Sequence, residues 1–248
     1  MSEAGYNARY LAVARVDRLP PPPAEPRRSP AVAVGGEVDV RIAGLAGGPS
    51  IEARLHAPSG AIRAVILCHP HPQYGGSMHS PVPLAIAKAL SDELRERVAW
   101  ARFNFRGVGA SEGSYDEGRG EVDDARAVTE YVRRVVPGAP VAICGHSFGS
   151  WVGLRAAAAS PAVDRVLLVA PSALFFAVRG GALGFTGYKA IFIGTEDEFC
   201  DVDEARALAD EMGAELRVFE GFDHHFLKSR RTMANAALPV LVPEASLQ

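Results

Sequence analysis

Residues 141–154 read Val141-Ala142-Ile143-Cys144-Gly145-His146-Ser147-Phe148-Gly149-Ser150-Trp151-Val152-Gly153-Leu154. An apolar run of β type enters Gly145-His146-Ser147-Phe148-Gly149, and an apolar helical pattern leaves it. A strand that turns at once into a helix forces its corner residue into a strained conformation. Glycines on either side remove the Cβ atoms that would block the approach of the two elements. The corner residue is Ser147, so its hydroxyl stands at a sheet edge before the amino terminus of the next helix. Backbone N–H groups and the positive end of the helix dipole then face any oxyanion formed there. The stretch therefore predicts a nucleophile at Ser147.

The same five-residue spacing recurs at Gly109-Ala110-Ser111-Glu112-Gly113. Gly113, Ser114, Asp116, Glu117 and Gly118 follow, a polar loop composition with no helix beginning at the serine and a carboxylate beside it. Ser111 is read as a surface-loop residue.

Working outward, 248 residues with 48% hydrophobic content can bury a substantial core, and an α/β chain of this size is expected to form one unit. Pro20 to Pro23, Pro26 and Pro30, with Arg27 and Arg28, fit neither helix nor central strand. Residues 1–36 are thus expected to be an arm or linker, and 37–248 the domain. The net charge of −3 gives no global electrostatic reason to seek nucleic acid or an anionic membrane surface. Three scattered cysteines, Cys68, Cys144 and Cys200, make neither a disulfide framework nor a zinc site. Met1 to Tyr10 has no apolar stretch of signal-peptide length, and no run approaches ~18 apolar residues. The expected location is cytoplasmic, and the oligomeric state is not encoded in any visible pattern.

From residue 38 onward, strand and helix patterns alternate. Val38 to Ala43 and Ile51 to His56 suggest a leading antiparallel pair, and Ala64 to Cys68 a strand buried on both faces. A helix is expected over Pro81 to Arg97, with Leu84, Ile86, Leu90 and Leu94 as its buried stripe. Then come a strand to Phe105, a helix over Gly120 to Val136, and the Ser147 strand and helix. Strands at Val166 to Ala170 and Ala190 to Gly194 follow, then a helix over Val202 to Met212, a strand over Glu215 to Glu220, and a last helix from about Phe226. Such alternation implies a mostly parallel, twisted sheet with helices on both faces. Chemistry gathers outside the carboxyl ends of the strands in such sheets. His69-Pro70-His71-Pro72, Asn104 to Gly107, Gly145 to Ser147, Gly194 to Asp197 and Gly221 to His225 all fall at such ends.

A serine hydroxyl needs a neighbouring base, and the base needs a third group to fix its tautomer. Downstream of Ser147 come Asp197 and then His224, each on a loop after a strand. Asp197 competes with Glu196, Glu198 and Asp201. It is preferred because it stands where the strand ending at Gly194 has turned inward. His224 competes with His225. It is preferred because Gly221, three residues before it, lets the loop bend back over Ser147, while His225 is expected at the start of the last helix. Of the two oxyanion N–H donors, one is the backbone of Phe148. The other belongs to the loop after Cys68, where Pro70 and Pro72 have no N–H to give. This leaves His71, with Gln73 behind it. His69, His71 and His79 read instead as a metal site would lack an accompanying acidic motif, so no metal and no cofactor is expected.

At these residues the chain resembles the α/β-hydrolases, and within them a small, lidless, dienelactone-hydrolase-related bacterial family with a His-Pro-His-Pro segment. The likeness rests on His69 to Pro72 with Tyr74-Gly75-Gly76, Arg102 to Gly109, Gly145 to Gly149, Gly194 to Glu198, and Asp223-His224. It implies an α/β-hydrolase fold with little or no cap domain, and the triad Ser147, Asp197 and His224. Dienelactone hydrolases proper use cysteine, so the serine argues against that substrate. Tyr74 completes, with Phe175 and Phe176, the expected substrate-binding set; the two phenylalanines either line an acyl site or pack beneath their loop. The expected activity is a carboxylesterase acting on a small ester through an acyl-enzyme. The alternatives are a thioesterase or small-peptide hydrolase with the same triad, or a non-catalytic binding protein of the same fold.

Overall fold

The computed structural model describes residues 36–172 and 184–244. The proline-rich arm up to residue 35, Phe175 and Phe176 lie outside them. Eight strands form one sheet: β1 (Val38–Ile42), β2 (Ile51–His56), β3 (Arg63–Cys68), β4 (Val98–Phe103), β5 (Val141–His146), β6 (Val163–Val169), β7 (Tyr188–Gly194) and β8 (Glu215–Phe219). Their order is β1-β2-β4-β3-β5-β6-β7-β8. β2 pairs antiparallel with β1 and β4, and every other pairing is parallel. The central strands β3, β4 and β5 are buried at every residue, which is why they read as near-continuous apolar runs, interrupted by charged Arg63 and Arg102, rather than alternating ones.

Period two divides the core. Ala64, Ile66 and Cys68 face one layer, made by α2 (Arg119–Val135), α3 (Phe148–Ala158) and α4 (Val202–Met212). Val65 and Leu67 face the other, made by α1 (Pro81–Leu94) and α5 (Arg230–Leu241). The connection from β6 to β7, residues 170–187, is too short for a cap domain. Among the described residues no helix is long and apolar enough to cross a membrane.

Several expected boundaries move, β6 starting at Val163 and β7 at Tyr188 among them, and three shifts have a visible cause. α1 stops at Leu94, since the Arg97 carbonyl accepts the Ile62 N–H and the chain must already be turning toward the sheet; its buried positions include Val82, Ile86, Ala87 and Leu90, with Leu84 and Leu94 only half-buried. β4 ends at Phe103: the Asn104 N–H still meets the Glu52 carbonyl opposite it on β2, but the Phe105 N–H turns away to His69 Nε2. α5 begins at Arg230 rather than Phe226: Phe226 has φ 53°, which no helix continues, and Ser229 caps the true start by accepting the Thr232 N–H.

Glu37 opens the body. Its carboxylate accepts from Arg102 Nε at 2.8 Å, Arg102 Nη2 at 2.7 Å and Trp100 Nε1 at 3.0 Å, and both charged side chains are fully buried. Arg102 also donates to the Met78 carbonyl at 3.0 Å, tying the first residues of the body to the loop after β3. Glu37→Ala would strand a guanidinium in the interior, and we expect a loss of about 3–5 kcal/mol in urea unfolding. An unchanged unfolding midpoint would refute this account.

Candidate active site

The corner after β5 has the backbone that the sequence demands. Ser147 sits at φ 54°, ψ −118°, a region of strain for a residue with a Cβ. A Cβ on Gly145 would lie 2.1 Å from the Gly149 carbonyl oxygen, and one on Gly149 would lie 2.5 Å from the carbonyl oxygens of Cys68 and His69. Both glycines are therefore required by contact, the second because the helix start is pressed onto the end of β3. The Ser147 N–H donates to the Val169 carbonyl at 2.9 Å, which anchors the corner to β6. α3 then runs from Phe148, its amino terminus at the serine.

Asp197 and His224 meet across the ends of β7 and β8. His224 Nδ1 lies 3.0 Å from Asp197 Oδ2 and 3.1 Å from Oδ1, with both residues buried. An ionised carboxylate only accepts, so the Nδ1 proton points at Asp197, and Nε2 takes no part in this hydrogen bond. Asp197 Oδ1 also accepts the N–H groups of Phe199 at 2.9 Å and Cys200 at 3.1 Å, which fix the carboxylate. The competing acids are elsewhere: Glu196 and Glu198 are exposed, and Asp201 caps α4 by accepting the Glu204 N–H. His225 is exposed on the turn, not at a helix start; its ring is 5.2 Å from that of His224.

The His-Pro-His-Pro loop is held by its own imidazoles. His69 donates Nδ1–H to the Pro70 carbonyl at 2.6 Å and accepts the Phe105 N–H at Nε2 at 3.0 Å. It thereby joins the ends of β3 and β4. Burial pushes its pKa down to about 3. The His71 ring accepts the Gln73 N–H at Nδ1 at 3.2 Å, which removes Gln73 as an oxyanion donor, and its Nε2 lies 3.1 Å from the Tyr115 hydroxyl. The His71 ring packs 4.9 Å from that of Phe148, so the two expected oxyanion residues are neighbours. Desolvation lowers the His71 pKa to about 4. Tyr74 is exposed, with its ring 4.7 Å from His71. His79 Nδ1 lies 3.2 Å from Arg102 Nη1. Among the described residues no group of three or more His, Cys, Asp or Glu could hold a metal ion.

One sequence reading needs revision, and one residue to which the sequence assigned no role lies against the Asp–His pair. Ser111 is not on the surface: it is buried, donates to the Asn104 carbonyl at 2.7 Å and accepts the Glu52 N–H at 2.9 Å. Its hydroxyl turns inward because the loop after β4 needs a buried hydrogen-bond partner, while Glu112, Gly113 and Ser114 beside it stay exposed. His146 is fully buried and donates Nε2–H to the His224 carbonyl at 3.0 Å. Burial, then the neighbouring His224, holds its pKa well below the usual imidazole range. Only its place beside Ser147 could have signalled it, since the partner lies 78 residues away.

A buried, mostly parallel sheet with a strained serine after β5 and an Asp–His pair on the loops after β7 and β8 defines the class. A family model described as "Alpha/beta hydrolase family" matches residues 65–245. The chain belongs to that family. It is similar to an alpha-beta serine hydrolase homologue from Coxiella burnetii, at 30% identity and TM-score 0.73 over 85% of this chain and 99% of that one. It is also similar to XC6422 from Xanthomonas campestris, a serine hydrolase of this class without a lid, at 30% identity and TM-score 0.70 over 86% and 97%. An uncharacterized protein of Rickettsia prowazekii, RP471, is 29% identical over 189 residues, 70% of this chain and 75% of that protein.

The buried imidazoles set an acid limit to stability. Between pH 6.5 and about 3, unfolded His69 binds a proton that the native residue excludes. The contribution is complete above pH 6.5 and is lost as pH falls below it, approaching ~1.4 kcal/mol per pH unit. His69→Gln keeps an acceptor for the Phe105 N–H, and its unfolding free energy should fall less steeply from pH 6 to pH 5. A slope equal to the wild type's would show that His69 is not the titrating group.

Proposed function

We infer that the protein is a serine carboxylesterase that cleaves small acyl esters through an acyl-enzyme. The observation that carries this reading is the His224 Nδ1 to Asp197 hydrogen bond, 3.0 Å long, on the sheet edge that bears the strained Ser147. Ser147 Oγ attacks the ester carbonyl while His224 Nε2 takes its proton. Asp197 holds the tautomer and balances the imidazolium, with its carboxylate fixed by two backbone N–H groups. The oxyanion is drawn to the N–H groups of Phe148 and His71 at the amino terminus of α3. The imidazolium returns its proton to the departing alcohol, and water repeats the sequence to release the acid. No cofactor enters these steps.

His146 positions the base in this reading. Its hydrogen bond holds the His224 carbonyl, and because burial keeps it neutral it adds no positive charge 5.2 Å from a forming imidazolium. Among the described residues its buried Nδ1 has no hydrogen-bond partner. Such a group costs about 1–3 kcal/mol, a cost more readily tolerated where the residue has a functional role. A cytoplasmic setting fits three buried, reduced cysteines.

Ser147→Ala should lower kcat for a short p-nitrophenyl ester by about 10⁶ and abolish labelling by a fluorophosphonate, with Asp197→Asn costing roughly 10⁴ and His225→Ala little. Full activity of the Ser147 variant would sink the reading, and hydrolysis confined to thioesters or peptides would redirect it. His146→Leu should lower kcat about tenfold with KM little changed, and His146→Gln, which can still donate, should recover most of it. Equal losses in both variants would limit His146 to packing.

A further inference from the structure

Phe199 stands at this edge both anchored and open. Its N–H donates to Asp197 Oδ1 at 2.9 Å, so the residue is set by the same carboxylate that sets the base. Its ring meets the His224 imidazole edge-on, with centroids 4.6 Å apart, yet 46% of the residue remains exposed. His224 therefore has a buried ring neighbour in His146 and two exposed ones, Phe199 at 4.6 Å and His225 at 5.2 Å, of which Phe199 is the closer and the apolar one.

The chemistry assigns the two ends of an ester to different neighbours. When the tetrahedral intermediate collapses, the bond from the carbonyl carbon to the alcohol oxygen breaks, and His224 gives that oxygen its Nε2 proton while the acyl group stays on Ser147 Oγ. The departing oxygen must then lie about 3 Å from His224, and the first carbons of the alcohol come within reach of a ring that touches the imidazole. The carbonyl oxygen is drawn the other way, to Phe148 and His71, where the rings of Tyr74 and Tyr115 pack 4.7 and 4.9 Å from His71.

We propose that Phe199 is the specificity-determining wall of the alcohol side, and that the preferred substrates are esters of aromatic or similarly flat apolar alcohols rather than of small or polyhydroxylated ones. The inference rests on the esterase reading above. A benzylic ring set against Phe199 removes both from water and gains an aromatic contact. A small alcohol leaves Phe199 wet, and a sugar would leave its hydroxyls without partners there.

The test compares ethyl acetate with benzyl acetate, two esters that share one acetyl-enzyme and so one deacylation step. Their kcat/KM values report acylation alone. The wild type should favour the benzyl ester, and Phe199→Ala should lower kcat/KM for it roughly tenfold while leaving the ethyl ester within about twofold. Phe199→Leu should fall between. Unchanged labelling of Ser147 by a small fluorophosphonate would show the site intact in both variants. Equal losses on both esters would mean that Phe199 acts through His224, and no change on either would mean that it touches nothing; each overturns the proposal. A wild-type protein that is not labelled and hydrolyses neither ester would overturn the esterase reading and this inference with it.

Discussion

The corner between β5 and α3 is the contact on which the rest of the structure depends. Ser147 is held at φ 54° because the strand and helix it joins are pressed together, and they are pressed together because Gly145 and Gly149 present bare backbone to each other and to the end of β3. The strain of a residue with a Cβ in this region is of order 1–3 kcal/mol. It is offset by a core in which β3 and β5 are buried at every residue and the Ser147 N–H is bonded to β6. Moving the helix start outward to relieve the strain would open that contact. The corner and the core therefore stabilise each other.

Around this corner, imidazoles act as struts. His69 joins the loops after β3 and β4, His71 packs the β3 loop onto Phe148, and His146 reaches the backbone of the loop after β8. Each is kept neutral by burial. A neutral imidazole can donate at one nitrogen and accept at the other, so it can join two backbone segments that each offer the wrong partner to the other. The arrangement also keeps positive charge away from His224, the one imidazole here whose proposed work requires it to become charged.

Polar networks hold the outer loops in a comparable way. Arg106 places its guanidinium and its own N–H on Asp124 of α2, at 2.8 to 3.1 Å, fixing the start of the loop after β4. Glu52 accepts from Asn104 and from the Ala110 N–H, while Ser111 closes the same loop from inside. With no cap domain over the sheet among the described residues, the strand ends are framed by these short, internally bonded loops, on which the exposed rings of Tyr74 and Phe199 stand.

The sheet was legible in the sequence because its central strands are buried on both faces and its helices carry one apolar stripe, patterns that local burial writes directly into residue order. Ser147 was legible for the same reason: its glycines and the strand-to-helix switch lie within a few residues of it. Asp197 and His224 could be chosen among their neighbours only from their distance past a strand end. What the sequence could not show is every contact whose partner lies far along the chain: Glu37 with Arg102, His146 with His224, and Ser111 turned inward to Asn104 and Glu52. A polar side chain looks the same in the sequence whether it faces water or a buried carbonyl. Only the tertiary structure, by bringing strand ends 27 to 78 residues apart to one edge, decides which of the two it meets.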